Sequence, residues 1–156
     1  MPQATGTDSF ILFEIAGTTY AVRSSVVQHV QMIDHVTPVP NAIPVVEGVV
    51  HSRGRVIPAL NLRVRFGFPK IPIDLRSRLV VINPGGRLVG LVVDTAREFV
   101  FLPDTSIEVP PEGITKLSGK YLDGIATIKE RLVLILNIEQ VIDVSGLDDM
   151  TAELPS

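Results

Sequence analysis

The sequence predicts an all-β protein built from two small closed barrels of about five strands each, and three observations carry that reading. First, the 156 residues hold 22 Val and 15 Ile against 8 Ala. Branched side chains are already restricted at χ1 and fit a pleated strand better than a helix. Second, 12 Gly and 12 Pro are spread along the chain, the punctuation of short strands joined by turns. Third, the chain repeats itself. Displaced by 76 residues, VVEGVVHSRGRVIPALNL (45–62) lies over YLDGIATIKERLVLILNI (121–138), with Gly48 on Gly124, Arg55 on Arg131, Leu60 on Leu136 and Asn61 on Asn137. Displaced by 69, ILFEIAGTTYAV (11–22) lies over VVINPGGRLVGL (80–91), with Gly17 on Gly86. The competing explanation is two unrelated sets of hairpins, because apolar strands align with one another easily. Halves of about 65 residues suit closed barrels, which remove most exposed strand edges.

Each element follows from local pattern. Phe10–Ile15 and Thr19–Val22 form a hairpin turning at Gly17, and Val26–Ile33 is a third strand. Pro38, Pro40 and Pro44 then make a stiff connection without a helix. Gly48–Ser52 and Arg55–Leu60 form the next hairpin, turning at Arg53 and Gly54, and the same grammar resumes at Leu79 after an Arg-rich loop. Asn61 and Asn137 are placed as N-caps of short helical turns that end each unit. Residues 1–9 and 145–156 read as flexible tails, leaving one domain over 10–144 with approximate halves 10–70 and 71–144. Exchange of strands between the barrels is left open by the pattern.

Composition and motifs exclude several classes. The absence of Cys removes disulfides, thiolate metal sites and thiol nucleophiles, and fits a reducing compartment. His29, His35 and His51 have only Asp34 close in sequence, so no metal site is expected. Ser24, Ser25 and Ser52 lack the context of a nucleophile, and NPGGRLVG (83–90) is a hairpin turn rather than a phosphate loop. No catalytic residue, no cofactor and no enzymatic activity are expected. The longest apolar stretch, 35–46, is broken by three prolines, so no membrane insertion is predicted. Nor is a signal peptide predicted from an amino terminus without a basic residue, which makes the cytoplasm the default. Residues 53–78 carry seven bases against one acid. Nucleic acid is nevertheless disfavoured, because the stretch offers only Phe66 and Phe68 for stacking and the pI is about 5.6. What remains is surplus branched apolar surface, notably Val27 beside Val26 and Val30, and the pair Val92 and Val93. Docking to another protein, or burial at a bulge or between the barrels, accounts for it equally.

The block Gly48 to Arg63 reads G-V-x-x-x-R-G-x-V-I-P-x-x-[ND]-L-R, Val89 to Asp94 reads V-G-L-V-V-D, and Leu134 to Glu139 closes with L-x-L-N-I-E. In this order and spacing, from Phe10 to about Ile142, the chain resembles CheW-type chemotaxis coupling proteins. That resemblance implies two SH3-like five-stranded β-barrels about a pseudo-twofold, with short helical turns and no enzymatic activity. It implies an adaptor joining the cytoplasmic tips of methyl-accepting chemoreceptors to the regulatory domain of a CheA-type histidine kinase. Other CheW-like domains in rings are further implied partners, and the implied location is the cytoplasm, at membrane-associated receptor arrays. Carried over by position, Gly48, His51, Arg53, Val93 and Val100 are implied receptor contacts, and Val27 and His29 implied kinase contacts. The turn here reads His51-Ser52-Arg53-Gly54 rather than Asn-Leu-Arg-Gly, His29 stands where glutamate is common, and Arg23 where aspartate is common. Rim charge sets partner choice more than affinity, so a dedicated, non-flagellar pathway is one expectation. The alternative function is a stand-alone double-barrel module that binds a peptide or small ligand between its halves.

Overall fold

The computed structural model describes residues 6–111 and 119–144. Ten strands form in chain order: β1 (Thr7–Ile15), β2 (Thr18–Arg23), β3 (Val27–Met32), β4 (Val46–Ser52), β5 (Arg55–Asn61), β6 (Arg78–Ile82), β7 (Val89–Val93), β8 (Thr95–Pro103), β9 (Leu122–Ile128) and β10 (Arg131–Leu136). One-turn helices α1 (Leu62–Arg65) and α2 (Ile138–Val141) follow β5 and β10. Both begin at the expected caps: the Asn61 side chain accepts from the Val64 amide at 3.2 Å, and the Asn137 side chain from the Gln140 amide at 3.3 Å. Each cap satisfies an amide that has no intrahelical partner.

The strands make two five-stranded sheets with orders β8-β1-β2-β10-β9 and β3-β6-β7-β5-β4. Exchanging β1–β5 with β6–β10 converts one order into the other, so the repeat in the sequence is a pseudo-twofold in the fold. The displacement of 76 carries the bounds of β4 onto β9 and of α1 onto α2 without adjustment. Single antiparallel bridges, Thr37 to Val49 and Glu108 to Ile125, draw the edges of each curled sheet together as in an SH3-like barrel. The sequence halves are not the barrels. The first barrel takes β1 and β2 from one half and β8–β10 from the other, while the second is continuous from β3 to β7.

Two boundaries differ from expectation. Thr7, Asp8 and Ser9 belong to β1, paired with Pro103, Leu102 and Phe101, because β8 extends far enough to offer them ladder partners. Val26 lies in a 3-10 turn (Ser24–Val26), which delays the third strand to Val27. The carboxy-terminal tail, 145–156, lies outside the described residues.

Apolar burial occurs at three centres. Phe10, Leu12, Ala21, Val133 and Ile135 fill the first barrel, and Val50, Ile57, Leu79, Val81 and Val92 the second. The largest cluster lies between them, joining Phe13, Ile15 and Val22 to Leu60, Ile82, Leu91 and Val93. Each such Val, Leu, Ile or Phe side chain contributes about 1.5–3 kcal/mol when fully buried. Successive residues of β7 therefore face two different cores, Val92 its own barrel and Val93 the junction. Burial, of Val92 inside its barrel and of Val93 between the barrels, rather than docking, explains that valine pair.

Candidate functional site

Strand β3 lies at the edge of the second sheet and its alternation is inverted. From His29 to Met32 the polar His29 and Gln31 are half-buried while the apolar Val30 and Met32 are 37% and 54% exposed, with Gln28 on the same outward face. The inward pair is held across the closure of the barrel. The His29 Nε2 lies 2.7 Å from Gln31 Oε1 and 3.1 Å from Ser52 Oγ, and Ser52 Oγ donates to Gln31 Oε1 at 2.9 Å. An apolar outward face on a sheet edge is a place for a protein partner, since water gains nothing from it and a partner strand or side chain does.

The pseudo-twofold repeats the feature on β8, the edge of the first sheet. Val30 pairs with Val80, and Phe99, 69 residues on, pairs with Ile11, itself 69 residues before Val80. There Phe99 and Phe101, 51% and 67% exposed, stack edge-to-face at 5.2 Å.

The β4–β5 hairpin turns on Arg53 and Gly54 with φ of 51° and 82°. A two-residue loop of that mirror geometry matches the right-handed strand twist. Arg53 is exposed there and its guanidinium has no partner among the described residues, whereas Arg63 and Lys70 are ion-paired and Arg65 donates to the Val141 carbonyl. Arg53 is therefore a long cation projected from a stiff turn. Beside it, exposed His51 borders a cleft of about 410 Å³ shared with Gln31, His35 and Thr37.

Between the barrels, Arg63 of α1 clasps Asp94 with Nε and Nη2 at 2.9 and 2.7 Å, and the Ala16 amide donates to Asp94 Oδ2 at 2.8 Å. Burial opposes ionisation of Asp94, but the Arg63 and Ala16 hydrogen bonds with the nearby Arg63 and Arg76 charges outweigh it and hold its carboxyl below the ordinary range. The Asp94 bond likewise raises Arg63. On the opposite side an open cleft of about 370 Å³ is lined by Arg23, Val26, Gly85, Asp123, Ile138 and Glu139. Among the described residues no group of three or more His, Asp or Glu is placed to hold a metal, and no helix is long and apolar enough to cross a membrane.

The family model for the CheW-like domain matches residues 9–145. The chain belongs to the CheW-like domain family. It is 30% identical over 133 residues to the chemotaxis protein CheW of Klebsiella aerogenes, covering 85% of this chain and 80% of that one. It is 29% identical to CheW of Bacillus subtilis, covering 87% of each. Protein FrzA of Myxococcus xanthus is 28% identical over 142 residues, with 90% and 88% covered. The crystal structure of the scaffolding protein TtCheW from Thermoanaerobacter tengcongensis superimposes with a TM-score of 0.80 at 27% identity, covering 94% of this chain and 92% of that one. Like the rest of its family, the CheW-like chain is a non-enzymatic adaptor of chemosensory signalling.

Against that family, the expected site residues divide. His51 and Arg53 sit exposed on one hairpin. Gly48, on the same strand, is buried with its Cα against the Thr37 carbonyl, so it shapes the barrel rather than presenting a surface. Val93, 1% exposed, is enclosed between the barrels, and Val100 packs on the core of the first barrel. Neither shares the exposed hairpin of His51 and Arg53. Val27 is half-buried against the junction, and His29 turns to the barrel closure. Arg23 is not a free rim charge either: it pairs with Asp8 and lies over the Phe10 ring at 5.3 Å. The exposed Met32, Phe99 and Phe101 were missed. The signal lay in the sequence, since a displacement of 69 puts Val30 on Phe99 and Met32 on Phe101.

Proposed function

We propose that this CheW-like chain joins the cytoplasmic tips of chemoreceptors to the regulatory domain of a CheA-type histidine kinase, docking the kinase on the outward face of β3. The inverted alternation of β3 carries the assignment. A strand that turns His29 and Gln31 inward and leaves Val30 and Met32 in water loses burial that only a partner restores. Arg53 and His51 face the receptor, where the guanidinium makes paired hydrogen bonds to a carboxylate or carbonyl of the helical tip. The pseudo-equivalent face of β8, with Phe99 and Phe101, is the place for a second double-barrel domain, from the kinase or another copy of the chain, so that rings form beneath membrane-associated receptors. Similarity to FrzA supports a dedicated pathway as one setting for such an array.

Calorimetric titration with the regulatory domain of the CheA-type kinase from the same genome tests the kinase half of this reading. Micromolar binding that is lost in Met32→Glu and retained in Phe101→Ser is expected. Absence of binding to every such kinase overturns it in favour of a stand-alone module, with the open cleft between the barrels as the place to seek a ligand. Val27→Asp is a poor probe, because Val27 also packs on the core between the barrels.

A further inference from the structure

The pseudo-twofold gives the molecule two equivalent positions between its barrels, and they are filled differently. On one side Asp94 follows β7 of the second barrel, takes the Arg63 guanidinium from α1 of that barrel, and accepts from the Ala16 amide in the β1–β2 turn of the first. Its own amide donates to the Glu14 carbonyl of β1 at 3.0 Å, and Arg63 is steadied by the Pro69 carbonyl at 3.2 Å. On the other side the displacement of 69 puts Gly85 in the place of Ala16 and Ser25 in the place of Asp94, and the displacement of 76 puts Glu139 in the place of Arg63. A serine and a glutamate cannot make that ion pair. Gly85 and Glu139 instead line the open cleft of about 370 Å³.

We infer that Asp94 is a latch: it closes one of two equivalent inter-barrel clefts and fixes the angle between the barrels, while the opposite cleft stays unlatched because positions 25 and 139 carry Ser and Glu. The carboxylate is well placed for this, since it accepts from the Arg63 side chain of one barrel and the Ala16 amide of the other at once. Charge-assisted, two-pronged bonds have narrow geometry and cost more to break than neutral ones. Apolar packing between the barrels supplies adhesion but little directionality, and the other charge-assisted bonds across the junction, from Arg65 to the Gln140, Val141 and Asp143 carbonyls, join the two helical turns rather than either cleft. For an adaptor whose barrels meet different partners, a fixed angle lets a displacement at one reach the other; this consequence alone rests on the function proposed above.

Residual dipolar couplings and amide exchange on the full-length, isotope-labelled chain test the latch without any partner. In the parent protein one alignment tensor is expected to fit both barrels. In Asp94→Asn two tensors are expected, with exchange at the Ala16 amide about tenfold faster or more. Amides of Leu12 and Val81, inside their strands, are expected to keep their rates. One tensor together with unchanged Ala16 exchange overturns the latch, and so does a uniform rise in exchange over both sheets, which makes Asp94 a contributor to global stability only. Should Asp94→Asn fail to fold, Arg63→Gln keeps the Ala16 bond and is expected to split the tensors with a smaller rise at Ala16; a single tensor there overturns the inference. Neither readout uses a receptor or a kinase, so loss of the latch leaves the adaptor function standing, and a failed kinase titration leaves the latch standing.

Discussion

A Cβ placed on Gly48 would lie 2.2 Å from the carbonyl oxygen of Thr37, in a backbone with φ of 151°. The approach is part of the barrel closure: Thr37 and Val49 exchange backbone hydrogen bonds of 2.9 and 2.8 Å. We predict that Gly48→Ala destabilises the protein by about 2 kcal/mol or more, since both the clash and the dihedral must relax. Gly17→Ala, with nothing within 4 Å of the added atom, is predicted to cost about 1 kcal/mol from φ alone. Urea midpoints compare the two. Equal small losses would show that the β4 edge moves aside freely.

Arg53 holds φ of 51°, as Lys129 does at the equivalent turn. A left-handed conformation costs a non-glycine residue about 1 kcal/mol. Arg53→Gly is therefore predicted to leave stability unchanged or slightly raised while receptor control of the kinase is lost. Arg53→Glu is predicted to uncouple receptor from kinase with a melting temperature near that of the parent. A large fall in melting temperature for either would make Arg53 a structural turn residue.

Acid stability should report Asp94. Its pKa is lowered in the folded state by Arg63, the Ala16 amide and Arg76 against the cost of burial. A carboxyl depressed on folding stabilises above its unfolded pKa, near 3.9, and the contribution is lost as pH falls through the folded value. Stability of the parent is thus predicted to fall below about pH 4 by an amount that Asp94→Asn, already without the ion pair, does not show. Parallel pH profiles of the two proteins would contradict this.

Phe99 and Phe101 are more than half exposed, so Phe99→Ser with Phe101→Ser is predicted to change the unfolding free energy by less than about 1 kcal/mol. The same double change is predicted to reduce ring formation with other double-barrel domains, seen by analytical ultracentrifugation. Unaltered assembly would remove β8 from the account.

Much of the fold was legible because hairpins are local. The turns at Gly17 and at Arg53-Gly54, the Asn caps and both displacements appear in the structure where the pattern put them. The strand exchange was not legible, because β3 presents one edge that can pair with either equivalent partner, β1 or β6, and only the assembled junction decides. The site was legible in part for a related reason. Val93 and Val100 carry the same side chain, which suits a surface or a core equally, and the fold encloses the first while leaving the second partly buried. In VQHVQM the polar residues were free to turn either way, until Ser52, 21 residues beyond Gln31, supplied inward partners.

Bridging of two partners by one chain is measured by co-sedimentation of the kinase regulatory domain with vesicle-bound receptor tips, with and without the chain. The kinase domain is expected to pellet only when the chain is present, and Met32→Glu is expected to abolish this while the chain itself still pellets. Kinase recovery that is independent of the chain, or a chain that pellets neither alone nor with the kinase, would contradict it.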